Sequence, residues 1–166
     1  MLTAKLANQL NGFKIINAGV SGNNTCDAIT RIEKDVNKHN TDLVTVLFGA
    51  NDAAIHKMID LETYKENLYN ITHLIKLEKT IFISPAPVDE RVQCARTNEV
   101  LFKYAVVKQV ADDTGSYFID FFSKMISLED YPKELIGIKN DGLHFGEDGD
   151  DLLVGLITKK VKGISY

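Results

Sequence analysis

The amino-acid sequence predicts an α/β fold, in which a parallel β-sheet carries helices on both of its faces. Short apolar runs typical of buried strands alternate with longer segments whose apolar residues recur at helical spacing. Glycine, proline, asparagine and aspartate stand at the junctions between these segments. Because the alternation continues along the whole chain, it indicates parallel strands joined by right-handed helical crossovers.

The predicted helices begin with the segment from Leu2 to Leu10, which has leucines at positions 2, 6 and 10. Asn11 and Gly12 end it, because glycine suits a left-handed C-terminal cap. Further helices are predicted after Thr25, over 61–77, over 91–113, over 121–128 and at the C-terminal end of the chain.

Four segments are predicted as strands: 13–17, 42–48, 80–84 and 117–120. The second is a continuous apolar run, the kind that is buried on both faces of a parallel sheet. Ligands of such sheets bind beyond the carboxyl ends of the strands. We therefore expect a site where the following loops meet: 19–24, 49–54, 84–91 and 140–145.

Composition predicts one globular domain spanning residues 1–166, with 45% hydrophobic and 25% charged residues. A net charge of −4 and the lack of a basic cluster argue against a nucleic-acid partner. The sequence has no apolar run of membrane-spanning length and no signal peptide at its start, so we expect a cytoplasmic protein without a membrane span.

No cofactor and no metal site is predicted. Cys26 and Cys94 are too few for a disulfide framework and lack metal-type spacing, so they are interpreted as buried thiols. The acidic residues at 147–151 do not match a calcium loop. They are interpreted as the first turn of the last helix, where the helix dipole favours negative charge.

The segment 140–145 reads Asn-Asp-Gly-Leu-His-Phe and places a carboxylate three residues before a histidine. Asp141 can fold back and accept a hydrogen bond from one ring nitrogen of His144, with Gly142 allowing the turn. Such a contact fixes the tautomer and leaves the other nitrogen as a general base. The alternative is a surface turn in which Asp141 caps the backbone and His144 is merely polar.

Two other loops can supply hydrogen-bond donors. Gly22 follows a predicted strand and precedes a helix, so its backbone N–H can stabilise an oxyanion. An ordinary turn is the alternative, since the loop lacks the P-loop pattern. Asn51 follows the next strand and can donate from its side-chain amide. For Asp52 we adopt the simpler interpretation, a turn residue that bonds its own backbone.

Three segments together resemble sequence blocks of the SGNH, or GDSL-type, hydrolases. They read Asn-Ala-Gly-Val-Ser-Gly-Asn-Asn-Thr at 17–25, Gly-Ala-Asn-Asp at 49–52 and Asp-Gly-Leu-His-Phe at 141–145. Their order and spacing match the family's second, third and fifth blocks, and the resemblance extends over essentially the whole chain.

The resemblance implies a flavodoxin-like, three-layer α/β/α fold and the activity of an esterase, lipase or acylhydrolase. The substrate would be a small-molecule acyl or acetyl ester. Carried over by position, Gly22 supplies a backbone oxyanion donor and Asn51 a side-chain donor. His144 is the general base, and Asp141 is its orienting partner.

The family's first block, a strand ending in Gly-Asp-Ser with the nucleophilic serine, has no counterpart in these residues. We therefore expect a chain truncated at its N-terminal side relative to the family, a gap in the sheet, and weak or no activity. Ser21 and Ser84 lie on the same edge but are interpreted as turn hydroxyls. A homo-oligomer is one way to cover the gap.

Two alternatives to a hydrolase remain open. A non-catalytic protein on the same scaffold would keep the pocket and bind an acyl or sugar ligand without cleaving it. A flavodoxin-like nucleotide or flavin binder would leave Asn51 and the pair of Asp141 and His144 unexplained.

Overall fold

The computed structural model describes residues 2–164, apart from the side chain of Leu77. Its sheet has three parallel strands in the order β1 (Val44–Leu47), β2 (Thr80–Ile83) and β3 (Tyr117–Ile119). The register places β1 residue 46 beside β2 residue 82, and residue 82 beside β3 residue 118. Since all strands run in one direction, their carboxyl ends lie at one edge of the sheet.

The helices precede, connect and follow these strands. They are α1 (Leu2–Gln9), α2 (Thr25–Ile29), α3 (Ile32–Asp35), α4 (Leu61–Ile75), α5 (Asn98–Lys103), α6 (Val107–Thr114), α7 (Phe121–Ile126) and α8 (Glu147–Lys162). Short 3₁₀ turns cover Asn37–His39, Leu77–Lys79, Tyr104–Val106 and Tyr131–Leu135. No helix of the described part of the chain is long and apolar enough to cross a membrane.

The two faces of the sheet pack against different helices, because successive strand residues point to opposite sides. Phe82 lies in a buried cluster with residues of α2 to α6. Ile81 and Ile83 lie in a second cluster with residues of α1, α7 and α8. Helices therefore cover both faces, which confirms the predicted three-layer α/β fold.

Local signals set several helix ends. Asn24 caps α2 through a capping box with Asp27, and the side chain of Asp60 accepts a hydrogen bond from the backbone of Thr63 at the start of α4. Gly12 adopts a φ of +90°, which ends the first helical segment. Acidic residues occupy the first turn of α8 and lysines its last turn.

Two predicted strands differ from the structure. Residues 13–17 belong to no ladder, so the prediction of a strand there is wrong. The prediction that the second strand is buried on both faces is also wrong, since Thr45 and Leu47 are exposed. Among the described residues β1 pairs with β2 alone, so its other edge has no strand partner for its backbone hydrogen-bonding groups.

The predicted helix over 91–113 is wrong in its first part and in its continuity. Residues 90–97 form a loop, because the Asn98 side chain bonds the backbone of Val88 and Thr97 caps the following helix. A 3₁₀ turn then separates α5 from α6.

Cys26 and Cys94 are exposed, which contradicts their interpretation as buried thiols.

Adjacent residues of β1 and β2 provide a matched test of this edge. Ile83 is 1% exposed and lies in register with Leu47, which is 36% exposed. Ile83→Ala is expected to lower the free energy of unfolding by about 2–5 kcal/mol, and Leu47→Ala by less than about 1 kcal/mol. Urea denaturation measures both; equal losses would mean that Leu47 is covered in solution.

Candidate active site

The loops after residues 17 and 48 meet through side-chain to backbone hydrogen bonds. The Asn51 side-chain amide donates from Nδ2 to the carbonyl oxygen of Asn23 at 2.8 Å. The Nζ atom of Lys57 donates to the carbonyl oxygen of Gly22 at 2.9 Å. Gly22 has a φ of +81°, a conformation that favours glycine. The predicted backbone donor and the predicted amide donor therefore belong to one hydrogen-bonded unit.

The buried carboxylate of Asp52 holds this hydrogen-bonded unit in place. Asp52 is fully buried and accepts hydrogen bonds from the backbone N of Thr25 at 2.9 Å and from its Oγ1 at 2.6 Å. It also accepts from the backbone N of Gly49 at 3.0 Å. The bond to Gly49 agrees with the turn interpretation of Asp52. The bonds to Thr25 give it a second role, since they link two loops that lie 27 residues apart.

The first residue of the second loop must be glycine. Gly49 has a φ of +113°, and a Cβ atom there would lie 3.1 Å from Cγ of Pro85 and from the hydroxyl of Tyr64. Both the backbone conformation and the space therefore exclude a larger side chain. This close approach brings the end of β1 against the loop that follows β2.

Asp141 and His144 form the predicted contact. The Nδ1 atom of His144 lies 2.8 Å from Oδ2 of Asp141. An ionised carboxylate can only accept, so this contact places a hydrogen on Nδ1, and in the neutral ring the lone pair is then on Nε2. The other oxygen, Oδ1, accepts from the backbone N of His144 at 3.0 Å and of Leu143 at 3.1 Å. The Nζ atom of Lys139 lies 3.5 Å from Nε2.

The Asp141 carboxyl has a pKa below its ordinary value. Partial burial raises the pKa, but hydrogen bonds from the backbone and ring of His144 and from the backbone of Leu143 outweigh it, together with the electrostatic interaction between the carboxylate and the His144 ring. The carboxylate is therefore held ionised, as the orientation of an imidazole ring requires.

The loop at residues 89–96, here called the bridging loop, is hydrogen-bonded to the segment after Asn51 and to the segment that holds Asp141. Asp89 donates its backbone N–H to the carbonyl oxygen of Gly142 at 2.9 Å. Gly142 has a φ of +67°, and a Cβ there would lie 2.9 Å from the carbonyl oxygen of Asp89. At the other side, the backbone N of Ile55 donates to the carbonyl oxygen of Ala95 at 2.9 Å. The bridging loop thus connects the segment after Asn51 to the segment that holds Asp141.

No hydrogen bond within residues 2–164 joins the pair of Gly22 and Asn51 directly to His144. Among the same residues, neither candidate serine is hydrogen-bonded to the imidazole. Ser84 is buried, and its Oγ accepts from the backbone N of Phe122 at 2.9 Å, so it has a structural partner. Ser21 is exposed and makes no hydrogen bond to His144.

Sequence reasoning missed several residues around the candidate site. Lys57, Lys139 and Arg96 belong to no sequence motif. The partner of Lys57 is a backbone carbonyl 35 residues away, which no side-chain pattern reveals. Metal ligands do not gather here: residues 2–164 contain no group of three or more His, Cys, Asp or Glu side chains placed to hold an ion.

The sequence matches the model of the GDSL-like lipase/acylhydrolase family over residues 1–152. The isoamyl acetate-hydrolyzing esterase 1 homolog of Homo sapiens is 32% identical over 179 residues, which cover 90% of this chain and 71% of the human protein.

Solved structures are similar over nearly the whole chain. A lipase/acylhydrolase from Enterococcus faecalis matches with a TM-score of 0.91 at 31% identity, covering 98% of this chain and 85% of that one. An acetylxylan esterase from Geobacillus stearothermophilus matches with a TM-score of 0.74 at 25% identity, covering 98% and 80%. The observed fold therefore agrees with that of these hydrolases.

Removal of the Asp52 carboxylate should destabilise the fold. Asp52→Ala leaves buried N–H groups of Thr25 and Gly49 without acceptors, so the free energy of unfolding should fall by about 3 kcal/mol or more. Asp120→Ala is the control, because this exposed residue caps α7 and its loss should cost about 1 kcal/mol. Urea denaturation measures both variants; a smaller loss for Asp52→Ala would contradict its linking role.

The lowered pKa of Asp141 predicts a pH-dependent contribution to stability. A carboxyl group whose pKa is lowered by folding stabilises the protein at pH values above the ordinary carboxyl pKa. This contribution is lost as the pH falls through the folded-state pKa. The difference in free energy of unfolding between the wild type and Asp141→Asn should therefore be present at about pH 7 and shrink below about pH 4. A difference that stays constant across urea titrations in this range would contradict the contact.

Proposed function

Because the chain belongs to the GDSL-like lipase/acylhydrolase family, we propose that it is built to hydrolyse carboxylic esters at the loops that hold Gly22, Asn51, Asp141 and His144. The contact between Nδ1 of His144 and Oδ2 of Asp141, with the lone pair left on Nε2, is the observation that carries this proposal. An imidazole oriented in this way is suited to remove a proton from an attacking hydroxyl.

In the proposed reaction a serine oxygen attacks the acyl carbon, and Nε2 of His144 takes the serine proton. The oxyanion receives hydrogen bonds from the Gly22 backbone N–H and from Asn51 Nδ2. The Asn51 amide has two N–H groups; one donates to Asn23, and the other is left for this role. The C–O bond to the alcohol then breaks as His144 returns the proton, and water attacks the acyl-serine in the same way to release the acid.

The nucleophile of this proposal is a serine that ends a strand beside β1 and that the present sequence does not contain. Two observations support it. Ser84 has a structural partner in Phe122 and Ser21 makes no bond to His144. The edge of β1 that does not face β2 has no strand partner among residues 2–164. The 166 residues alone should accordingly hydrolyse esters weakly or not at all.

The proposed substrate is a small ester with a short acyl group and an apolar portion. Similar proteins are named for isoamyl acetate and acetylxylan. Exposed apolar side chains also lie on the loops beside the candidate residues, at Ile55, Met58, Val92 and Ile138. They would contact the apolar portion of an ester and stabilise it by burial.

A second candidate function is binding without cleavage on the same scaffold. The position of Lys139 favours it, because its Nζ lies 3.5 Å from Nε2 of His144, where a hydrolase would place the nucleophile's hydroxyl. Such a protein would hold an acyl or sugar ligand and leave it intact.

The test compares p-nitrophenyl acetate hydrolysis by this chain with that by the chain extended through its natural upstream reading frame. The extended protein should be active if that frame encodes an apolar strand ending in Gly-Asp-Ser. In it, Asn51→Ala should lower kcat by about 100- to 1000-fold, and His144→Ala should reduce it further. His73→Ala is the matched control, since this exposed histidine on α4 lies outside the proposed site.

Other outcomes have definite meanings. Turnover by the 166 residues alone that requires Ser21 would replace the proposed nucleophile with Ser21. An upstream frame without Gly-Asp-Ser, in a protein that binds the acetate ester without cleaving it, would favour the binding function. Activity of the extended protein that survives His144→Ala would overturn the proposed mechanism.

A further inference from the structure

The imidazole ring of His144 lies between a carboxylate and an amine. Its Nδ1 atom is 2.8 Å from Oδ2 of Asp141, and its Nε2 atom is 3.5 Å from Nζ of Lys139. In a catalytic triad a base activates a nucleophile, and a third group orients the base. The contact between nucleophile and base is often longer before a substrate binds. In this chain the amine of Lys139 therefore has the position of a nucleophile relative to the base.

A tight turn brings Lys139 back to His144. The backbone N of Asn140 donates to the carbonyl oxygen of Gly137 at 3.0 Å, and Asn140 has a φ of +45°, which non-glycine residues seldom adopt. Gly137 packs against the backbone that follows, since a Cβ atom there would lie 2.8 Å from the carbonyl oxygen of His144. The position of Lys139 beside the imidazole thus follows from backbone contacts as well as from its own side chain.

Contact with the base distinguishes Lys139 from the other lysines. Among residues 2–164, its side chain is the one that lies within hydrogen-bonding reach of Nε2 of His144. Lys57, which is also at the candidate site, donates instead to the carbonyl oxygen of Gly22. Most lysines are solvated surface charges. Lys139 and His144 are both exposed, so an acyl donor can reach them from solvent.

We propose that Lys139 is an acyl acceptor, which takes the acyl group of an aryl ester or a thioester. The neutral amine attacks the acyl carbon and forms a C–N bond, while the C–O or C–S bond to the leaving group breaks. The proton of the amine passes to Nε2 of His144 and then to the leaving group. The product is an amide, which resists hydrolysis, so each chain reacts once. This proposal rests on the proposed function only for the role of His144 as a base.

The test is incubation of the 166-residue chain with p-nitrophenyl acetate at about pH 9, where more of a lysine amine is neutral than at pH 7. Above the background, p-nitrophenolate should appear as a burst equal to one amine per chain. Peptide mass spectrometry should place the acetyl group on Lys139. The rate there should be about 100-fold above that at Lys34, an exposed lysine of α3 that serves as the reference.

Three variants separate the acceptor from the base. Lys139→Arg keeps the positive charge without the acceptor amine, so the burst should disappear. His144→Ala removes the base and should lower the rate of acetylation at Lys139 by about 100-fold. His73→Ala, at an exposed histidine of α4, should leave that rate unchanged. Because all three side chains are exposed, the variants should fold.

Equal rates of acetylation at Lys139 and Lys34 would overturn the inference, and so would a Lys139 rate that His144→Ala leaves unchanged. A burst that persists in Lys139→Arg would also overturn it, because another residue would then carry the acyl group. Failure of the extended protein to hydrolyse esters would count against the proposed function alone, since acetylation of Lys139 is measured without turnover.

Discussion

The carboxylate of Asp52 holds the candidate site together. It accepts hydrogen bonds from the start of α2 and from the turn that ends β1. Its position places Asn51, the preceding residue, where the side-chain amide reaches the carbonyl oxygen of Asn23. A carboxylate satisfied by three donors is also rigid, because each donor belongs to a different backbone or side-chain group. The geometry of the proposed oxyanion donors therefore depends on a residue that does not itself face the substrate.

Interactions between near neighbours in sequence were predictable, and those between distant segments were not. The hydrogen bond of Asp141 to His144 spans three residues and follows from chain geometry alone. The helix over 61–77 was predicted from apolar spacing and observed as α4, because its apolar face and its cap at Asp60 are encoded locally. The bond from Thr25 to Asp52 spans 27 residues and leaves no periodic signal.

The errors have the same physical origin. Residues 91–97 have helical composition, yet tertiary hydrogen bonds from Asn98 to Val88 and from Ile55 to Ala95 hold them as a loop. Residues 13–17 have the composition of a strand, but a strand also needs a neighbour to complete its ladder. The intrinsic propensity of a segment limits which secondary structures it can adopt, and its tertiary hydrogen-bonding partners decide which of these it adopts.

The bridging loop makes the two halves of the candidate site interdependent. It is bonded to the segment after Asn51 at Ala95 and to the Asp141 segment at Asp89, so neither half can move independently of it. Ester hydrolysis needs the base and the oxyanion donors placed around one carbonyl group, and displacements of about 1 Å reduce rates strongly.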